Sequence, residues 1–212
     1  DLDELSIHVM SSIHDIDYSQ WDRCAGTHLP NSNPFVRHAF LATLEDSGSV
    51  TTSTGWKPQH LILRSPKGTI VGCAPLYLKD HSYGEYVFDW GWANAYERAG
   101  GSYYPKLQCS VPFTPATGPR LLVSDEFSEK RGQELKKLLL GSMVELADQT
   151  GVSSLHITFP TEQDFKLITK AGLLPRIGQQ FHWKNKGYDS FDAFLDELSS
   201  RKRKNIRKER EK

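Results

Sequence analysis

"PQHLILRSPKGTIVGCAPLYLK", residues 58–79, is where the chain changes period. Before it the apolar residues recur at helical spacing. Here they crowd into two runs, 58–65 and 68–79, parted by Pro66, Lys67 and Gly68. A proline and a glycine between two β-rich runs signal a hairpin. Working backward, "NPFVRHAFLATLEDSG" reads as a helix that Asn33 caps and Gly48 closes, with Pro34 in its first turn. Val36, Phe40 and Leu44 form its apolar face. "YSQWDRCAG" (18–26) reads as a short helix stopped by Gly26, and "SIHVMSSI" (6–13) as an opening strand.

Working forward, "GEYVFDW" (84–90) alternates Tyr86, Phe88 and Trp90 with Glu85, Val87 and Asp89. It reads as a third strand whose three aromatics enter the core. "ANAYERAGG" reads as a short helix, and "KLQCSVPF" (106–113) and "PRLLV" (119–123) as short strands. The strongest helix is "SEKRGQELKKLLLGSMVELADQTG", capped by Ser128 and ended by Gly151. Leu135, Leu138, Leu139, Met143, Leu146 and Ala147 mark its buried face. Then come a strand, "SSLHITF" (153–159), and a helix opened by the capping pair Thr161 and Asp164. "GQQFHWKN" (178–185) reads as another strand, and "DSFDAFLDELSSRKRKNIRKEREK" as a last helix with Phe191, Phe194, Leu195 and Leu198 as its stripe. Strands interleaved with helices make this an α/β (α+β) chain.

The composition fits a globular protein, and no apolar run approaches the ~18 residues of a membrane helix. No signal-peptide pattern opens the chain, which starts at Asp1 rather than Met. Cys24, Cys73 and Cys109 form no CxxC pair, and their odd number argues against a disulfide framework. A reducing compartment is the simpler setting, with the cytoplasm as default address and an organelle, after removal of a targeting segment, as the alternative. The eight histidines show no close metal spacing, so no metal is expected. The last twelve residues, "RKRKNIRKEREK", carry eight Lys or Arg against two Glu. With a net charge of zero overall, an acidic body ends in a basic tail. Beyond Leu198 only Ile206 continues the helical stripe, so the chain is expected to be a fragment that runs on past Lys212.

Four stretches carry candidate chemistry. In residues 89–105, indoles and phenols alternate with Asp89, Asn94, Glu97 and Arg98, as either a binding wall or a structural cap. "PFTPATGPR" (112–120) is a stiff connector, or a loop presenting amides, Thr114 and Arg120 to an anion. His156 and His182 sit on expected strands, where a lone histidine is more often structural than a base. The basic tail is a solvated face or a polyanion contact. There is no nucleophile elbow, P-loop or dinucleotide fingerprint. From the residues alone no reaction follows.

"GCAPLYLKDHSYGEYVFDWGWANAYERAGGSYYPKLQCSVPFTPATGPRLL", "LHITFPTEQD" and "QFHWKNKGYDSFDAFLDELSSRKRKNIRKER" together resemble the FemAB-like predicted N-acyltransferases, also labelled peptidoglycan biosynthesis/recognition proteins. The resemblance covers residues 30–212. It implies a GNAT-like module, a mixed twisted sheet flanked by helices, at 1–198, and the start of a connecting helix at 199–212. It also implies a second module beyond the chain. The implied reaction is transfer of an acyl or aminoacyl group to an amine, with this half on the acceptor side. The GNAT pyrophosphate pattern Q/R-x-x-G-x-G/A is absent, the nearest match being Arg98-Ala-Gly-Gly101, so an acyl-CoA site is expected outside the chain.

Under that resemblance Asp89 and Glu97 are the expected catalytic acids. Trp90, Trp92, Asn94, Tyr103 and Tyr104 form the expected substrate wall. Arg98, Lys106 and Arg120 are candidates for an anionic group of the acceptor, and His182 for a further contact. The partners implied are a small-molecule or peptide amine and, at 201–212, tRNA or another polyanion. The competing readings are a non-catalytic module that binds a peptide or cell-wall precursor, and a polyanion-binding protein.

Overall fold

The computed structural model describes residues 4–211. They fall into two compact units, Asp1–Arg176 and Ile177–Lys212. The first begins with β1 (Ser6–Met10), α1 (Tyr18–Cys24) and α2 (His38–Asp46). Then follow β2 (Trp56–Pro58), β3 (His60–Arg64), β4 (Ile70–Ala74) and β5 (Leu76–Lys79). The rest is α3 (Trp90–Arg98), β6 (Lys106–Cys109), β7 (Leu122–Val123), α4 (Glu129–Thr150), β8 (Leu155–Ile157) and α5 (Glu162–Lys170).

The hairpin of the opening stretch is present: β3 pairs antiparallel with β4, from Leu61 opposite Ala74 to Arg64 opposite Ile70. The two sequence runs extend past the hairpin, into Pro58 of β2 on one side and into β5 on the other. The chain crosses from one four-stranded sheet, in the order β1-β3-β4-β7, to another, β2-β5-β6-β8. Pro75, which cannot donate to a ladder, parts β4 from β5. At the same level the Gln59 amide bonds the Leu76 carbonyl at 2.8 Å, between β2 and β3. Among the described residues the ladders between named strands are antiparallel except β6 with β8, which run parallel. The result is the mixed α/β architecture that the sequence pattern implied.

The β3–β4 hairpin reads as an unbroken apolar run because both of its faces are covered. Leu61, Leu63 and Val71 pack with Leu135, Leu139 and Met143 of α4 and with Leu167 and Ile168 of α5. Ile62, Ile70 and Cys73 face Ile13, Trp21, Val36 and Leu41. The helical ends follow their side chains. Ser128 accepts from the Arg131 amide at the start of α4, and Gly151, at φ 63°, closes it. The helix expected over 33–48 is a 3-10 turn and a separate α2, divided at the extended residue Arg37.

Two expected strands are absent, and one core assignment inverts. Residues 84–89 form no ladder. Tyr86 and Phe88 have φ of 59° and 52°, and they are 48% and 75% exposed. Glu85 and Asp89 are the buried partners instead. The alternation is real, but a buried lysine draws the acids inward and turns the aromatics out. Residues 178–185 likewise join no strand.

In the second unit the expected last helix is split into α6 (Phe191–Asp196) and α7 (Ser200–Arg210). Arg203 donates to the carbonyls of Leu195, Asp196 and Leu198, which takes up the orphan acceptors at the break. Leu195 is buried, and Phe194 meets the rings of Trp183, Tyr188 and Phe191. Among the described residues no helix is long and apolar enough to cross a membrane.

Candidate functional site

The register of β5 and β6 places Lys79 directly opposite Lys106. Both lysines are fully buried. Like charges opposite one another across a strand pair repel, so each must find its own compensation. Lys106 finds carboxylates: Nζ donates to Glu85 Oε2 at 2.8 Å, Asp89 Oδ2 at 2.9 Å and Ser82 Oγ at 2.9 Å. Lys79 finds a ring and a carbonyl, with Nζ 3.7 Å from the centre of the Trp56 ring and 3.4 Å from the Tyr83 oxygen. Burial, together with the Lys106 charge and against the pull of Glu85 and Asp80, brings the Lys79 ammonium down to about 8.

The loop before α3 supplies the acids. Gly84 sits at φ +79°, and a Cβ there would lie 2.6 Å from the Phe113 ring, so only glycine fits. The turn carries Glu85 and Asp89 to Lys106 from one side, and the segment between α3 and β6 returns Tyr103 and Tyr104. The Tyr103 hydroxyl donates to Asp89 Oδ2 at 2.8 Å, and Tyr104 and Ser82 share a hydroxyl contact of 2.7 Å. Asp89 occupies the N-cap position of α3 but makes no capping bond, because its carboxylate is committed to Lys106 and Tyr103.

The two acids are pushed apart. Burial raises Asp89, but the hydrogen bonds from Lys106 and Ser82, the Lys106 charge and the Tyr103 hydroxyl outweigh it and hold the carboxyl at about 2. For Glu85 burial dominates over the Lys106 attraction and moves it upward. Burial, helped by hydrogen bonding to the Asp89 carboxylate, keeps Tyr103 protonated far above its ordinary range. His156, on β8 opposite Gln108 of β6, faces the same group. Its burial and the Lys106 charge bring it down to about 4, so the imidazole is neutral at pH 7. Glu85 Oε1, Asp89 Oδ1 and Gln108 Oε1 are buried without a hydrogen-bond partner.

The exposed face of α3 is a different surface. Asn94, Glu97 and Arg98 line a shallow depression, the α3 groove, that is largely open to solvent. Trp92 and Tyr96 stand out on the same helix, 68% and 51% exposed. Arg98 spends its Nε on the Asn94 carbonyl at 3.2 Å.

The expected site residues therefore divide. Asp89, Tyr103, Tyr104 and Lys106 come together in the buried cluster. Trp92, Asn94, Glu97 and Arg98 share the outer face of α3, and Trp90 packs on Tyr83 with ring centres 4.8 Å apart. Asp89 and Glu97 are not brought together: one is inside and the other exposed. Arg120 is buried, and its guanidinium donates to the carbonyls of Thr158, Pro119 and Ala116, so it braces the 112–120 turn. His182 is exposed in the second unit, against Gln180. Ser82, Glu85 and Lys79 are missing from the expected set, and His156 is a candidate read as more often structural than a base. Glu85 was signalled by its two-residue alternation with Asp89, while Lys79 and His156 depend on strand register, which no local pattern reveals.

Residues 12–212 match the FemAB-like family, described as peptidoglycan biosynthesis/recognition, and the chain belongs to that family. No curated protein matches it. Among solved structures it is similar to an acetyltransferase of Trypanosoma brucei, 17% identical over 85% of this chain and 99% of that one, with a TM-score of 0.46. A ribosomal-protein-alanine N-acetyltransferase of Brucella melitensis biovar Abortus is 12% identical over 85% and 99%, with a TM-score of 0.49. A glucosamine-6-phosphate N-acetyltransferase of Arabidopsis thaliana is 10% identical over 85% and 99%, with a TM-score of 0.47.

Proposed function

We propose that this chain forms the acceptor side of an N-acyltransferase that moves an acyl or aminoacyl group onto an amine. Family membership over residues 12–212 supports the reaction class. The observation that carries the acceptor role is the α3 groove, where Glu97, Arg98 and Asn94 stand among exposed aromatics. Glu97 pairs with the ammonium and Trp92 offers its face to the same cation. Arg98 and Asn94 take a carboxylate or amide of the same molecule, which suits an amino acid or peptide amine.

In the reaction the acceptor nitrogen loses a proton, with Glu97 nearest to receive it. It then attacks the acyl carbonyl, forming the C–N bond as the C–S bond of a thioester, or the C–O bond of an ester, breaks. Asp89 and Lys106 act through position: they fix Tyr103 and the N-terminal end of α3. The donor, acyl-CoA or aminoacyl-tRNA, binds outside the segments that line this groove, consistent with the missing pyrophosphate pattern. The test supplies labelled acetyl-CoA and a labelled aminoacyl-tRNA, in turn, to the complete protein with amino acid and peptide amines. Labelled amide product supports the reading. Amine binding without product from either donor favours the non-catalytic recognition module instead.

A second reading concerns α7. Arg203, Lys204, Arg207 and Lys208 lie with Ser200 and Glu211 on one open face of α7. Arg203 is spent on carbonyls, but Lys204, Arg207 and Lys208 are exposed. This favours contact with a polyanion such as tRNA, made through phosphate charge rather than base identity.

A further inference from the structure

Three elements distant in sequence converge at the buried cluster. One oxygen of Glu85, one of Asp89 and one ring nitrogen of His156 lie within 4.8 Å of one another. The two acids are 3% and 0% exposed. Lys106 occupies Glu85 Oε2 and Asp89 Oδ2, and leaves Glu85 Oε1 and Asp89 Oδ1 buried and bare. A bare carboxylate oxygen in the interior is costly unless a cation or a donor meets it. One ammonium balances one of the two carboxylates. The other lysine nearby, Lys79, points its charge at the Trp56 ring and the Tyr83 carbonyl.

His156 completes the donor set. Its Nε2 meets Ser154 Oγ at 3.0 Å, and the ring stands edge-on to Tyr103 at 6.0 Å, which fixes its orientation. His156 is the least buried of the three.

We propose that Glu85, Asp89 and His156 bind one divalent first-row transition cation, held by two carboxylate oxygens and one imidazole nitrogen with water completing the shell. Two oxygens and one nitrogen suit Mn2+ or Co2+ better than a soft ion, which would prefer thiolates. Metal bonds of about 2.0–2.2 Å bring neighbouring donors to roughly 3 Å, so binding draws the three groups inward. The Lys106 ammonium remains on the opposite carboxylate oxygens and holds the affinity to a moderate level by repulsion. The site is independent of the α3 groove and does not depend on the acyltransferase reading.

The test titrates the metal-stripped full chain with Mn2+ and counts free ion by electron paramagnetic resonance. One ion per chain is expected. His156→Phe keeps the ring against Tyr103 and removes both nitrogens; Glu85→Gln keeps an acceptor for Lys106 and removes the charge. Each is expected to weaken binding by roughly tenfold or more. Circular dichroism checks that both fold. In the wild-type chain, paramagnetic broadening must fall first on the ring signals of His156, Tyr103 and Tyr104, a readout that needs no variant. No binding, or broadening elsewhere, overturns the proposal, as does unchanged binding in a folded variant.

Discussion

Lys106 is the residue on which the buried cluster depends. Its ammonium is the shared donor for Glu85, Asp89 and Ser82, and each of these comes from the loop between β5 and α3. Lys106→Met keeps the length of the side chain and removes the charge. It leaves two buried carboxylates uncompensated, so a loss of about 3–5 kcal/mol is expected, read as a lower urea midpoint. Glu97→Gln, on the exposed face of α3, is expected to stay within about 0.5 kcal/mol of the parent in the same experiment. The buried imidazoles set the pH response. Burial lowers His156 from 6.5 to about 4, and lowers His60 as well, despite the Glu45 carboxylate beside it. The unfolded chain takes up protons near pH 6.5 that these two rings refuse in the folded state. Stability is therefore full above pH 6.5 and falls as the pH drops towards 4. Urea midpoints at pH 7 and pH 5 check this, and His156→Phe is expected to narrow their difference.

At the scale of elements, much of the secondary structure was legible because its signals are local. Ser128, Gly151 and the 3.6-residue stripe bounded α4, and Pro66-Lys67-Gly68 marked the hairpin between β3 and β4. Residues 84–90 misled because a period of two reports two sides and not which side is inside. Lys106, sixteen residues past Trp90, decides that. The Thr161–Asp164 cap was half legible. Thr161 does accept from the Asp164 amide, but the Asp164 carboxylate leaves the helix. It accepts from the amides of Arg120 and Leu121 and from Lys136, and so staples α5 to the 112–120 turn and to α4. Asp164→Ala strands those amides, at about 1–3 kcal/mol for each buried donor left bare. A fall in thermal midpoint, far larger than for a surface change, is the expected outcome. For α7, exposed lysines and arginines predict tRNA binding that weakens steeply with salt. Replacing Lys204, Arg207 and Lys208 by Gln should flatten the slope of log K against log salt by about two to three units. An unchanged slope removes α7 as the contact.

At the scale of the molecule, the sequence conveyed the class of fold but not how it divides. Both faces of β3 and β4 are buried, which the continuous apolar run implied. The crossing between sheets at Pro75 and Gln59 was not readable, because it depends on partners found later in the chain. The candidate site was legible in part for the same reason. The aromatic and acidic residues of 84–105 were visible as a group. Their sorting into a buried cluster and an outer groove required the β5–β6 register, and His156 required the parallel pairing of β6 with β8. That sorting changes the proposed chemistry: in the reading put forward above, Asp89 supports and Glu97 with Arg98 meets the acceptor.

The most direct test of that assignment is the KM for the amine acceptor in acyl transfer by the complete protein, compared with Glu97→Gln and with Arg98→Met. Loss of one charge-assisted contact should raise the acceptor KM roughly ten- to a hundredfold and leave the donor KM unchanged. If both variants keep the parent's acceptor KM, the acceptor does not bind in the α3 groove and the account is wrong at its centre.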